Sequence, residues 1–171
     1  MTPEAAAYQL VTGGRSLSGE RASSVAARMT ELEQAAGSKQ GAARLAGVAP
    51  RTWRDWRRGT HAPSRASAER LRGALRRVRV DPRREARLRR FGSGGVTIRI
   101  KGRFRVSEDE RDRTLNLRSG NIPAWGRGIP GALVDASLRG DDAGAGGQLL
   151  GLVSAYLPEM EVTALYRVSM P

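Results

Sequence analysis

The 171-residue chain contains no cysteine, a single histidine and few aromatic side chains. The absence of cysteine excludes disulfide bonds and thiolate metal sites. His61 alone does not form a metal site or supply the base of an ordinary hydrolase. No glycine-rich loop is followed by the lysine of a phosphate-binding P-loop. The sequence therefore predicts a protein that is not itself an enzyme and holds no metal ion or tightly bound cofactor.

Long hydrophobic runs are also missing. The longest apolar segment, residues 149–157, is too short to span a bilayer, and no apolar stretch near the N-terminus is typical of a signal peptide. We therefore expect a soluble, cytoplasmic protein without a membrane partner.

Acidic residues are scarce relative to basic ones, and the net charge is +13. Residues 38–106 carry 21 Lys or Arg and four acids, a net charge of +17, whereas residues 1–37 and 107–171 carry −1 and −3. All basic residues except Lys39 and Lys101 are arginine, whose planar fork suits phosphates and guanine edges. A GC-rich genome also favours arginine, but it does not explain the clustering. The middle segment is therefore expected to bind a polyanion, with nucleic acid as the first candidate.

The first part of the chain has a weak hydrophobic pattern. Residues 1–22 are rich in Ala, Gly and Ser, which predicts a flexible N-terminal arm with at most one short helix. From Ser23 to Ala36 apolar residues recur at helical spacing, and Gly37 stands where a helix would stop. This helix opens a helical domain that we place over residues 23–91.

Residues 38–63 have the features of two short helices joined by a glycine turn. Ser38 is a suitable N-cap for the first helix, Gly47 and Val48 fit the turn, and Pro50 suits the first turn of the second helix. Such a pair is a helix-turn-helix. The spacing resembles that of phage-repressor-like DNA-binding families at Ala43, Leu45, Gly47, Val48, Thr52, Trp56, Gly59 and Pro63.

Two positions depart from that family pattern. Ala49 replaces the hydroxyl residue that usually caps the recognition helix, and Trp53 stands where Val or Ile is usual. The bulk of Trp53 compensates for the small Ala46 if the two face each other across the core.

The second helix of this pair is expected to lie in the major groove. Arg51 and Arg54 are the best placed to meet guanine edges and so to read sequence. The other residues expected at the DNA surface of this domain are Lys39, Gln40, Arg44, Pro50, Thr52, Arg57, Arg58, Arg70 and Arg77. Phosphate contacts would give affinity without sequence information, and the alternative for each cation is that it only solvates the fold.

Residues 64–91 carry eleven arginines and three acids around an apolar stripe that runs from Ala68 to Val78. A solvated helix face is the usual explanation of a charge run, but this excess favours contact with a nucleic-acid backbone. Pro82 interrupts the helix, and the glycines at positions 92, 94 and 95 predict a hinge rather than a phosphate-binding loop.

The last part of the chain, residues 96–171, predicts a small α+β domain. Residues 96–106 alternate, with apolar residues on one face and cations on the other, which predicts a half-buried strand. The cations, also expected to contact DNA, are Arg99, Lys101, Arg103 and Arg105. A second strand at 113–117, helices at 130–138 and 148–157, and a closing strand at 161–170 complete a β-β-α-α-β order.

Four acids lie close together before the second predicted strand: Glu108, Asp109, Glu110 and Asp112. Such a group can hold Mg²⁺ in nucleases. Their contiguity in a hairpin loop favours a solvated turn instead.

Several further motifs accompany the helix-turn-helix: S-A-E-R-L at residues 67–71, A-R-L-R-R at 86–90, S-G-G-V-T-I at 93–98 and G-R-F at 102–104, followed by an acidic-basic loop that ends at Thr114. Together they resemble the terminal proteins that cap the telomeres of linear actinobacterial chromosomes and plasmids. The resemblance covers about three-quarters of the chain, from about Gly41 to its end, and the helix-turn-helix is its most specific part.

That resemblance implies a protein primer for end-patching DNA synthesis. A hydroxyl, corresponding to Thr114, would be joined covalently to the first deoxynucleotide by a DNA polymerase that supplies Mg²⁺. Arg111 and Arg113 would attract the nucleotide phosphates. The implied partners are telomeric DNA, that polymerase and a telomere-associated recruiting protein, at the nucleoid. On the residues alone, Thr114 is an ordinary strand threonine.

Two other functions fit the same motifs. In a helix-turn-helix transcriptional repressor or regulator, the C-terminal domain would form a homodimer or bind an effector, and the DNA sites would be palindromic. In a phage or plasmid partition protein, repeated sites would lie beside a replication origin.

Overall fold

The computed structural model describes residues 1–171 and has an α+β fold with one three-stranded antiparallel sheet. The helices are α1 (Pro3–Thr12), α2 (Leu17–Ala22), α3 (Val25–Ala36), α4 (Lys39–Leu45), α5 (Pro50–Arg58), α6 (Arg65–Arg79), α7 (Pro82–Arg89), α8 (Ile129–Arg139) and α9 (Asp142–Tyr156). The strands are β1 (Thr97–Val106), β2 (Asp109–Arg118) and β3 (Met160–Ser169). None of the helices is both long and apolar enough to cross a membrane.

The chain divides into two compact units, each with its own apolar core. The helical unit is Gly19–Arg79. The α+β unit combines Met1–Ser18 with Val80–Pro171, so the helical unit is inserted between two pieces of the α+β unit.

The N-terminal helix corrects the flexible arm predicted over residues 1–22. The hydroxyl of Thr2 caps α1, which buries Leu10 and Val11 completely in the core of the α+β unit. The terminal amine also donates a 2.6 Å hydrogen bond to the carbonyl of Leu165 in β3. Two of the six buried residues of α1 are alanine and two others, Tyr8 and Thr12, carry a hydroxyl, so the weak hydrophobic pattern did not reveal that this segment packs into a core.

The C-terminal boundary of the helical unit also differs from the predicted one. The interruption predicted at Pro82 is confirmed: α6 ends before it, and Asp81 caps α7 with a side-chain bond to the amide of Arg83. However, Leu88 of α7 is buried in the core of the α+β unit, and the amide of Asp81 donates to the carbonyl of Val11 at 3.1 Å. The helical unit therefore ends at Arg79, short of the boundary predicted at residue 91.

The helical unit is built on well-marked helix ends. The helix predicted from Ser23 to Gly37 is confirmed as α3, with the hydroxyl of Ser24 accepting from a first-turn amide. Gly37 ends it at a φ of +68°, a left-handed conformation that favours glycine. The core of this unit contains Met29, Leu32, Ala42, Ala43, Ala46, Trp53, Trp56, Leu71, Ala74 and Leu75.

The sheet of the α+β unit has the order β2-β1-β3, with both pairs antiparallel. The alternation predicted for β1 is confirmed, because Ile98, Ile100 and Phe104 are fully buried while the cations between them are exposed. β2 is longer than the predicted 113–117 because it pairs with β1 along the whole hairpin. Ser107 forms the tight turn at a φ of +55°.

Helices cover only one face of this sheet. The predicted β-β-α-α-β order is observed, although α9 begins six residues before the predicted 148 because Asp141 caps its glycine-rich first turns. Leu133 of α8 and Leu149 of α9 share one core with Ile98. The opposite side, which we call the open face, is exposed and carries Arg99, Lys101, Arg103 and Arg105 of β1, Glu110, Asp112, Thr114 and Asn116 of β2, and Glu161, Tyr166 and Arg167 of β3.

Candidate nucleic-acid interface

The pair α4 and α5 is set by local caps and one turn. The Ser38 hydroxyl accepts from the amide of Gly41 at 2.9 Å and starts α4. Gly47 makes the turn at a φ of +64°, and Pro50 opens α5. Ala49 provides no side-chain hydrogen bond at the start of α5, as expected from its methyl side chain. The first amides of α5 therefore have no side-chain cap at the end where an anion would bind.

α5 has two contrasting faces. Trp53 and Trp56 are buried in the helical core, with ring centroids 6.3 Å apart, so they anchor the buried side of the helix. Arg51, Arg54 and Arg58 project from the opposite side and are exposed. The helix therefore presents a row of cations on a rigid base.

Glu33 of α3 holds α5 in place. Its carboxylate accepts from the indole Nε1 of Trp53 at 2.8 Å, and from Nε and Nη2 of Arg57 at 3.1 and 2.6 Å. The hydrogen bond from Arg57 is the main reason why the pKa of Glu33 lies below its usual range, and the bond from Trp53 adds to it, against the opposing effect of burial. Arg57, predicted to contact DNA, therefore ties α5 to α3 through a bidentate ion pair.

We expect Glu33→Gln to destabilise the helical unit by about 1–2 kcal/mol at neutral pH, because it removes the charge from this network. A carboxyl with a lowered folded-state pKa stabilises the fold above its unfolded pKa of about 4.3, and the benefit disappears as the pH falls through the folded value. The difference in unfolding free energy between the two proteins should therefore shrink below about pH 4. Urea titrations at neutral and acidic pH measure it.

Glu69→Gln is the matched control, because Glu69 pairs with Arg65 in an exposed i,i+4 ion pair worth a few tenths of a kcal/mol or less. An equal loss for Glu33→Gln at both pH values would contradict the role of its charge.

Two arginines of α6 donate hydrogen bonds to backbone carbonyls at the C-terminal end of α4. Arg70 donates to the carbonyl of Gly47 at 3.3 Å, and Arg77 donates to that of Leu45 at 3.3 Å. These carbonyls belong to the last turn of α4 and the loop after it, where cations satisfy groups that the helix leaves unpaired. Arg70 and Arg77, both predicted to bind phosphates, thus support the turn between α4 and α5.

Five cations around this turn make neither a hydrogen bond nor an ion pair: Lys39, Arg44, Arg51, Arg54 and Arg58. All five are exposed. A groove runs beside α5 and is lined by Lys39, Gln40, Pro50, Trp53, Arg54, Arg57 and Arg58. Free cations and a groove of this composition form a surface suited to a polyanion, and they include the two arginines predicted to read bases.

The helical unit also contains a buried ion pair that sequence reasoning missed. The carboxylate of Glu20 accepts from Nε of Arg76 at 2.8 Å, and these side chains are only 1% and 3% exposed. Arg79 bridges Glu20 and Glu31. Arg76 and Arg79 lie in the arginine-rich run that was expected to contact a nucleic-acid backbone. Their positions next to the apolar stripe of α6 are the only signal in the sequence that they face the core.

The cations of β1 have local partners. Arg103 donates to Asp112 at 3.0 Å, Arg105 pairs with Glu161, and Arg99 donates to Asn116 at 3.1 Å. Lys101 alone has no hydrogen bond or ion pair. The face predicted to be cationic is therefore partly neutralised by the two neighbouring strands.

Thr114 is exposed on β2, directly opposite Lys101 of β1. Arg111 and Arg113 were expected to flank it, but they alternate onto the other face of the strand and donate to Asp109. This corrects their assignment to the nucleotide phosphates beside Thr114. Successive residues of a strand point to opposite faces of the sheet, so neighbours in sequence do not share a face. The cation nearest in register to Thr114 is Lys101.

The acidic group predicted as a solvated turn is spread along the hairpin. Only Glu108 lies in the turn, while Asp109, Glu110 and Asp112 are in β2. Asp109 pairs with arginines of its own strand, and Asp112 accepts from Arg103 and from the hydroxyl of Tyr166. No group of three or more His, Cys, Asp or Glu side chains is placed to hold a metal ion.

Comparison with known proteins gives no relative for this arrangement. No protein-family model matches the chain, and no curated protein or solved structure matches it either. The function is therefore argued from the surfaces described above.

Proposed function

We propose that this protein binds double-stranded DNA through a helix-turn-helix formed by α4 and α5, with α5 in the major groove. The observation that carries the proposal is the set of unpaired, exposed cations on one side of a helix that two tryptophans anchor on the other. Arg51 and Arg54 lie near the start of α5, the end from which recognition helices reach base edges. Lys39, Arg44 and Arg58 supply phosphate contacts around them.

The proposed difference between base-reading and phosphate-contacting residues gives a specific test. A preferred duplex is first selected from a random pool, and binding is then measured against it and against unrelated duplexes. Arg51→Ala and Arg54→Ala should each lose about 1–3 kcal/mol on the preferred duplex and little on unrelated ones. Lys39→Ala and Arg58→Ala should weaken binding to all duplexes alike and lower the slope of log affinity against log salt by about one.

Arg139→Ala is the matched control, because Arg139 is an exposed arginine of α8 in the α+β unit, outside both the proposed surface and the arginine-rich run of residues 64–91. It should leave affinity, preference and salt slope unchanged. Unaltered sequence preference in both Arg51→Ala and Arg54→Ala would overturn the assignment of these residues to base reading. Salt-independent binding would overturn the proposed surface as a whole.

We also propose that the duplex is telomeric and that the protein acts as a terminal protein, the substrate of a DNA polymerase that joins the first deoxynucleotide to Thr114. Its partners would then be that polymerase and a telomere-associated recruiting protein, and Mg²⁺ would come with the polymerase. The exposure of Thr114 on an open sheet face favours this, since a priming hydroxyl has to enter the active site of another protein. A nucleoid-associated transcriptional repressor remains the alternative, and tight binding to a palindrome without nucleotide attachment would support it.

A further inference from the structure

The open face carries one aromatic side chain in an unusual position. Tyr166 of β3 lies at a bulge and is 41% exposed, and its hydroxyl donates to Oδ1 of Asp112 at 3.0 Å. Asp112 belongs to β2, two strands away, because β1 lies between them. Neighbouring strands are about 4.8 Å apart, so the phenol has to lie across β1 to reach its partner.

This ring is held at both ends. Its Cα is fixed in the sheet, and Asp112 is itself fixed by a 3.0 Å bond from Nε of Arg103. The bond from Arg103, followed by that from Tyr166, keeps the pKa of Asp112 below its usual range, so the carboxylate remains an acceptor at neutral pH. The open face therefore has a pre-positioned aromatic surface that faces solvent.

Unpaired charge lies beside the ring. Lys101 pairs in register with Thr114 on one side and with Arg167 on the other, so these three residues form a row across the sheet. Lys101 and Arg167 are exposed and have no hydrogen bond or ion pair. Toward the hairpin turn the cations are neutralised, by Asp112 for Arg103 and by Glu161 for Arg105. The free positive charge is thus confined to one half of the face.

We propose that the open face binds single-stranded DNA, with Tyr166 stacking on a base and Lys101 and Arg167 contacting the adjoining phosphates. An aromatic ring on a sheet beside free cations is the usual arrangement for single strands, whose unpaired bases expose faces for stacking. A duplex hides those base faces, and this sheet has no projecting helix to enter a groove. The choice of DNA over RNA rests on the proposed function, since bound duplex ends supply single strands.

The experiment uses the full chain and a fluorescent oligothymidylate of about 12 nucleotides, with binding followed by anisotropy. Tyr166→Ala should weaken binding about tenfold or more, and Lys101→Gln and Arg167→Gln should each weaken it severalfold and reduce the salt slope. Arg139→Gln is the charge control, because Arg139 is an exposed arginine of α8 on the helix-covered side, and it should have no effect.

Duplex binding separates this proposal from the previous one. Tyr166→Ala and Arg167→Gln should keep the affinity of the parent protein for the preferred duplex, and Arg54→Ala should keep its affinity for the oligothymidylate. Full single-strand affinity in Tyr166→Ala and Lys101→Gln overturns the open-face site even if the helix-turn-helix binds duplex as proposed. Tighter binding of oligouridylate than of oligothymidylate overturns the choice of DNA.

Discussion

Glu20→Gln is expected to destabilise the helical unit by about 3–5 kcal/mol, the largest stability loss among the substitutions considered for this protein. Glutamine keeps the shape of the side chain but removes its charge. Arg76, which is 3% exposed and pairs with Glu20, would then lose the charge of this carboxylate in a site with almost no access to water. The pair with Glu20 then offsets less of the desolvation cost of that cation, and removing one partner of a buried pair costs far more than an exposed pair contributes.

Tryptophan fluorescence during urea titration reports on the unfolding of the helical unit. Trp53 and Trp56 are buried in the helical core, whereas Trp125, the only other tryptophan, is 68% exposed in the α+β unit. Glu69→Gln is the control here too, because Glu69 lies in the same helical unit and makes an exposed ion pair with Arg65 whose loss should cost about 1 kcal/mol or less. A loss of that small size for Glu20→Gln would contradict the importance of the buried pair.

Covalent labelling should depend entirely on Thr114 if the protein is a primer. Its hydroxyl oxygen would attack the α-phosphorus of a deoxynucleoside triphosphate, the bond to the β-phosphate would break, and pyrophosphate would leave. The hydroxyl proton would pass to a base or water in the polymerase site, where Mg²⁺ stabilises the developing charge. Thr114→Ala has no oxygen for this bond, so we expect complete loss of label.

The measurement is incubation with the cognate polymerase, a labelled deoxynucleotide and Mg²⁺, followed by a denaturing gel and peptide mass mapping. Thr163→Ala is a suitable control, because Thr163 is an exposed threonine of the same sheet whose hydroxyl already donates to the carbonyl of Arg103. Label retained in Thr114→Ala would assign priming to another hydroxyl. The absence of any label, together with tight binding to a palindrome, would favour the repressor.

Local signals in the sequence predict most of the elements correctly. The alternation of residues 96–106, the glycine that ends α3, and the proline that opens α7 each mark their element through short-range chemistry. Element type follows from period and caps because both act within a few residues. A short helix was allowed in the N-terminal arm, but the burial of α1 was not predicted, because only Leu10 and Val11 among its buried residues are large and wholly apolar.

Partners of individual side chains are harder to predict. Glu33 binds Trp53 and Arg57 across 20 and 24 positions, and Glu20 binds Arg76 across 56 positions. Nothing in the local pattern distinguishes these acids from solvated ones, so the internal ion pairs of Arg76 and Arg79 were not predicted. The five free cations around α4 and α5 emerge only after internal pairs are subtracted.

The insertion of the helical unit also determines the order in which native contacts within the chain form during synthesis. α1 leaves the ribosome before α9 and β3, which pack against it. Leu10 and Val11 therefore stay without their native neighbours while the helical unit can already fold, since its residues form one continuous stretch. Closing that long loop carries an entropic cost that grows only slowly with its length. The nascent protein thus carries a helical unit that can already fold, between two parts of a unit that cannot yet form.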